Sequence, residues 1–159
     1  MKSTPELEQV IAALRGAYAA FNRGDIEAAV ESLDEQIEWT EPADFPGGGT
    51  YHGREGVKHY LSQSRAAWAE VNSEPEQFIS SGNRIVVFVH ARVRPKYDKN
   101  DNNNDNDWRE VNLADVYTLS NGKITEMRAF ADRQEALKWA GAEKSDYCRH
   151  HAEQSEAGL

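Results

Sequence analysis

The chain has a single cysteine among its 159 residues, Cys148, which excludes an internal disulfide and fits a reducing, cytoplasmic setting. Positive charge is also scarce: 18 basic residues face 27 acidic ones, for a net charge of −9. With no basic run, that balance argues against nucleic acid or an anionic membrane as partner. No apolar stretch approaches the roughly 18 residues of a membrane-crossing helix. The opening MKSTPELEQ has no signal-peptide apolar region, so no leader is expected. Cysteine and histidine spacing suggests no metal site, and His150 and His151 lie in a polar stretch. The run Asp98 to Asp107 lacks the turn glycine of a calcium loop, and Arg109 stands where the closing Glu belongs. Its Asn/Asp composition predicts a solvated hairpin tip.

What is present changes period halfway along the chain. Thr4 and Pro5 open a helix whose Leu7, Val10, Ile11, Leu14, Tyr18 and Phe21 form one apolar stripe. Asp25 caps a short second helix with Ile26, Ala29, Val30 and Leu33, and Ile37 and Trp39 alternate in a short strand. Glu41 to Tyr51 reads as a loop carrying Gly47-Gly48-Gly49. From Arg54 the positions Val57, Tyr60, Leu61, Ala67, Trp68 and Val71 predict a third helix. Strands then follow over Gln77 to Ser80, Arg84 to Arg94, Trp108 to Ser120 and Lys123 to Phe130, with Asn121-Gly122 as a hairpin turn. Asp132 and Glu135 box the start of a last helix that ends at Gly141. The order predicts one α+β domain over residues 1–141, a cone with three N-terminal helices on a curved, mostly antiparallel sheet around an apolar cavity. Residues 142–159 are expected to be a polar, flexible tail.

Asp115 stands out. Val111, Leu113, Tyr117 and Leu119 share its strand face, so the alternation turns a carboxyl toward the core. Burying a carboxylate without a partner costs roughly 2 kcal/mol or more, so such a group raises its pKa, finds donors or lines a cavity.

Four segments in order, GDIEA from Gly24, TEP from Thr40, HGRE from His52 and ADVYTLSNGKI from Ala114, resemble the ketosteroid isomerase branch of the nuclear-transport-factor-2-like superfamily. The stretch WTEPADFPGGGTYHGREGV from Trp39, with FADRQEAL from Phe130, is similar to SnoaL-like proteins. The resemblance covers roughly residues 7 to 140 and implies the helix-covered cone, commonly as a homodimer. It also implies roles. Glu41, before Pro42, takes the place of the acid that shuttles a proton between carbons. Asp115 takes the place of the neutral acid that holds the oxyanion. The family's helix-one tyrosine falls on Ala17, with Tyr18 one step late, about 100° around the helix. Its supporting tyrosine on the third helix falls on Leu61. The polyketide cyclase acid on the last strand is replaced within Met127-Arg128-Ala129. The Asp-Arg-Asp set of limonene-epoxide-type hydrolases is not met, because Arg128 points away from Met127.

The expected function is cofactor-independent proton transfer beside a carbonyl in an apolar pocket, as isomerase, cyclase or lyase. Glu41, Asp115 and Tyr18 would act on a small apolar carbonyl compound. Trp39, Phe45, Tyr51, Tyr60, Trp68, Tyr117 and Met127 would contact it, with Phe45 and Tyr51 flanking the glycine loop. The alternative is a non-catalytic small-molecule-binding module of the same fold.

Overall fold

A computed structural model describes residues 4–96, 108–142 and the backbone of 148–150; the Asp98 to Asp107 run lies outside the described residues. Helix α1 spans Pro5–Asn22, and the Thr4 hydroxyl accepts the Leu7 N–H at 3.0 Å. Helix α2 spans Ile26–Val30, capped by Asp25 accepting the Ala28 N–H. The chain then enters strand β1, Leu33–Glu41, so Leu33 belongs to the strand and not to the second helix. Strand β2, Gly49–His52, pairs antiparallel with β1 where the sequence predicted only loop. Helix α3 runs Gly53–Ala66.

The expected third helix is cut short. Trp68 and Val71 lie in strand β3, Trp68–Ser81, a 14-residue strand paired along its length with β4, Arg84–Pro95. Pairing to β4 outweighs the helical stripe there. The end of α1 clasps the strand: Asn22 accepts the Ser73 N–H at 2.8 Å and donates to the Ser73 carbonyl at 3.1 Å.

Strand β5, Arg109–Ser120, turns through Asn121 (φ 54°) and Gly122 (φ 80°) into β6, Lys123–Phe130. Both turn residues take the left-handed backbone that an Asn-Gly hairpin uses. Helix α4, Arg133–Ala140, starts on the Asp132 carboxylate and ends at left-handed Gly141. Strand β7, Cys148–His150, pairs with the β3 edge.

The strands form one curved, open sheet in the order β2-β1-β6-β5-β4-β3-β7, parallel only between β1 and β6. Its inner face, with Ile37, Trp39, Phe78, Ile85, Val87, Val89, Tyr117 and Met127, packs against α1, α2 and α3. On the outer face Ile79, Val86, Ala114 and Val116 pack against Ala136, Leu137 and Ala140 of α4. The α+β cone stands as expected, with both sides of its middle strands covered. That parity places Phe88, His90 and Arg92 on the outer face, away from the three N-terminal helices.

Candidate active site

Three neighbouring strands bring two acids into one row. Asp115 of β5 is opposite Ala129 of β6, and Thr40 of β1 is opposite Arg128, which sets Glu41 beside Ala129. At about 4.8 Å between strands, the two acidic Cα atoms stand roughly 10 Å apart across the alanine. Side chains alternate along strands, so Asp115, Ala129 and Glu41 share the inner face with Tyr117, Met127 and Trp39. Those three form the adjacent row, Tyr117 opposite Met127 and Met127 opposite Trp39. Arg128 faces outward and lies over the Trp139 ring, 5.3 Å from its centre.

Helix α1 completes the site. The Tyr18 hydroxyl donates to Asp115 Oδ2 at 2.6 Å and is 2.8 Å from the Tyr117 hydroxyl. Because Tyr18 has one proton and gives it to Asp115, the Tyr117 hydroxyl donates to Tyr18, making a chain from Tyr117 to Tyr18 to Asp115. Across the row, Trp39 Nε1–H donates to Glu41 Oε2 at 2.8 Å, and Tyr60 of α3 stands near enough that, after burial, the Glu41 charge raises its phenol above the usual value. Tyr60 lies 4.8 Å from Tyr51, ring centre to ring centre, and the Tyr51 hydroxyl donates to the Gly47 carbonyl at 2.7 Å. The glycine loop is therefore tied down by an aromatic pair.

Burial pushes Glu41 up to about 8; the Asp115 charge adds to this, and the bond from Trp39 partly offsets it. Burial likewise pushes Asp115 up to about 6 against the bond from Tyr18. Burial and then the Asp115 charge hold Tyr18 and Tyr117 well above the usual phenol value. Among the described residues, no Arg, Lys or His ion-pairs with either acid. None of their His, Cys, Asp and Glu side chains forms a group of three able to hold a metal ion.

The model of the SnoaL-like domain matches residues 14–127, a span that includes Tyr18, Glu41, Asp115 and Tyr117. The chain belongs to the SnoaL-like domain family. Among solved structures, SalBIII, an epoxide hydrolase/cyclase-like enzyme of pyran ring formation in salinomycin, is 27% identical with TM-score 0.60, over 79% of this chain and 92% of its own. TerC, co-crystallized with polyporic acid, is 24% identical with TM-score 0.63, over 86% and 98% respectively. A ketosteroid isomerase-like protein from Catenulispora acidiphila, in complex with trimethylamine, shares the fold at 16% identity and TM-score 0.63, over 87% and 95%. No curated protein matches the sequence.

In this SnoaL-like domain the residues singled out from sequence divide into two groups. Glu41, Asp115, Tyr18, Trp39, Tyr117 and Tyr60 meet around one row, with Tyr51 beside Tyr60. Tyr18 reaches Asp115 although it stands one residue late, because the acid's partner is set by where α1 lies on the sheet and not by spacing alone. Tyr117 of β5 supplies the second hydroxyl that Leu61 of α3 lacks. Met127, 1% exposed, lies between Tyr117 and Trp39 in the adjacent row and is the most buried of the three. Trp68 lies opposite Pro95 at the start of β3 and belongs to neither apolar cluster, because the strand has replaced the helix that would have carried it. Phe45 is half-buried in the loop and also lies outside both clusters. Sequence reasoning passed over Ala129, since an alanine advertises no chemistry.

Proposed function

We propose that the chain is a cofactor-independent enzyme that moves a proton beside the carbonyl of a small, largely apolar compound, as isomerase, cyclase or lyase. The observation that carries this reading is the pair of inward-facing acids flanking Ala129, one held by the Tyr117–Tyr18 chain and the other by Trp39. Burial raises both acids and the Asp115 charge raises Glu41 further, so near pH 7 we assign the shared proton to Glu41 and the charge to Asp115. The roles expected from the resemblance therefore exchange. Asp115, its carboxylate oriented by Tyr18, takes the proton from the carbon next to the carbonyl. Neutral Glu41 donates a hydrogen bond to the carbonyl oxygen as it gains charge. A carboxyl already protonated in a water-poor site needs no reorganisation as the enolate forms. The likeness to SalBIII, and the ligands bound by TerC and the Catenulispora protein, support a small-molecule site of this kind.

The 2.6 Å bond from Tyr18 to Asp115 supplies the helix-one hydroxyl that the family pattern places at Ala17, which favours the enzyme over the binding module. We place the enzyme in the cytoplasm as a homodimer.

The test is solvent deuterium incorporation into a panel of cyclic and β,γ-unsaturated ketones, followed by NMR. At least one ketone should exchange faster than in buffer, and Asp115→Asn should lose about 100-fold or more of that rate, the scale of a general base. An Asp115→Asn protein that exchanges like the wild type removes the proposal.

A further inference from the structure

The row that carries the two acids differs from its surroundings in how much water reaches it. Val87, beyond Asp115 in the same row, is 0% exposed, and Met127 and Tyr117 in the next row are 1% and 4% exposed. Asp115, Ala129 and Glu41 each keep accessible surface while sitting on the inner face against the helices. Tyr18 and Tyr60, which reach this row from α1 and α3, keep some as well. Solvent therefore reaches this face along the row of Asp115, Ala129 and Glu41 rather than along the row of Tyr117 and Met127. A methyl group is the smallest floor a chiral residue can offer. Any larger side chain at this position would rise into the gap the acids border.

We infer that Ala129 is the seat of the ligand, and that the small side chain at residue 129 sets how bulky an uncharged carbonyl or enol compound can lie between Asp115 and Glu41. This rests on the small-molecule site proposed above. The size limit follows from the row: Ala129 stands one strand from each acid, so a larger side chain there would rise between their two side chains. Neutrality follows from the partners, because a carboxylate ligand would meet the Asp115 charge with no cation paired to either acid among the described residues. Ala129 touches no reacting proton, so its part is selection by shape.

The experiment is calorimetric titration at pH 7 with two phenols, flat 2-naphthol and branched 4-tert-butylphenol, against wild type, Ala129→Val and Ala129→Gly. Valine suits a paired strand, and circular dichroism checks that the fold survives. Ala129→Val should bind 2-naphthol at least tenfold more weakly than wild type. Ala129→Gly, with its deeper floor, should bind 4-tert-butylphenol at least threefold more tightly than wild type. A folded Ala129→Val protein that binds 2-naphthol within twofold of wild type overturns the inference while leaving the site proposal standing. Should Ala129→Val not fold, an Ala129→Gly protein without the gain overturns it alone. A wild type that binds neither phenol removes the site proposal and this inference together.

Discussion

Replacing Glu41 by Gln should stabilise the protein at high pH and leave it nearly unchanged at low pH. Glu41 is an acid whose folded pKa, about 8, lies above its ordinary value of 4.5. Between those two values the folded chain holds a proton that the unfolded chain has released, so stability falls as pH rises through that window. Below about pH 4.5 the carboxyl is neutral in both states and the cost vanishes. The interval of about 3.5 pH units, at 1.36 kcal/mol each, corresponds to roughly 5 kcal/mol. Glutamine keeps an oxygen for the Trp39 indole N–H and never ionises, so the variant escapes this cost. Urea denaturation of both proteins at pH 5 and pH 9, followed by tryptophan fluorescence, reads the effect directly. Comparing variant with wild type at each pH cancels the other titrating groups. The gain from Glu41→Gln should be several kcal/mol larger at pH 9. An equal difference at both pH values would mean that Glu41 ionises freely, and the reasoning from its surroundings would fail.

Two further perturbations follow from the same geometry. Tyr18→Phe removes the hydroxyl bonded to Asp115; a hydrogen bond to a charged group contributes roughly 1.5–3 kcal/mol, so the acid limb of the pH–rate profile should move up by about 1 to 2 pH units. An unmoved limb would show that Tyr18 does not hold the Asp115 charge. Gly48→Ala drives a methyl into the Pro42 carbonyl and the Ala43 backbone, so it should lower thermal stability by about 1–3 kcal/mol and disturb the loop beside Glu41; an unchanged melting temperature would contradict that packing.

Much of the site could be read from local pattern, because strand parity is a local property. Period-two alternation around Asp115 turned it inward, and the same rule put Trp39 and Glu41 on one face and Arg128 on the other. What parity does not reveal is register. Ala129 matters only because three separate strands align it between two acids, and no window of sequence contains that alignment. Tyr18 depended in the same way on how α1 rests on the sheet. The third helix was overextended for a different reason. Trp68 and Val71 continue its apolar stripe, yet Glu70, Asn72, Glu74 and Glu76 alternate as exposed residues of a strand, a period-two signal already visible in the sequence. Strand β2 gave little to find, being four residues long with a glycine at its start.

The central claim is that the two acids hold one proton between them at neutral pH, on Glu41 and not on Asp115. Carboxyl carbon NMR titration, with the two resonances assigned through Glu41→Gln and Asp115→Asn, measures this most directly. Both resonances should titrate above the ordinary carboxylate range, Asp115 first and Glu41 last, near 8. Two carboxyls that both lose their protons near pH 4 would contradict the account.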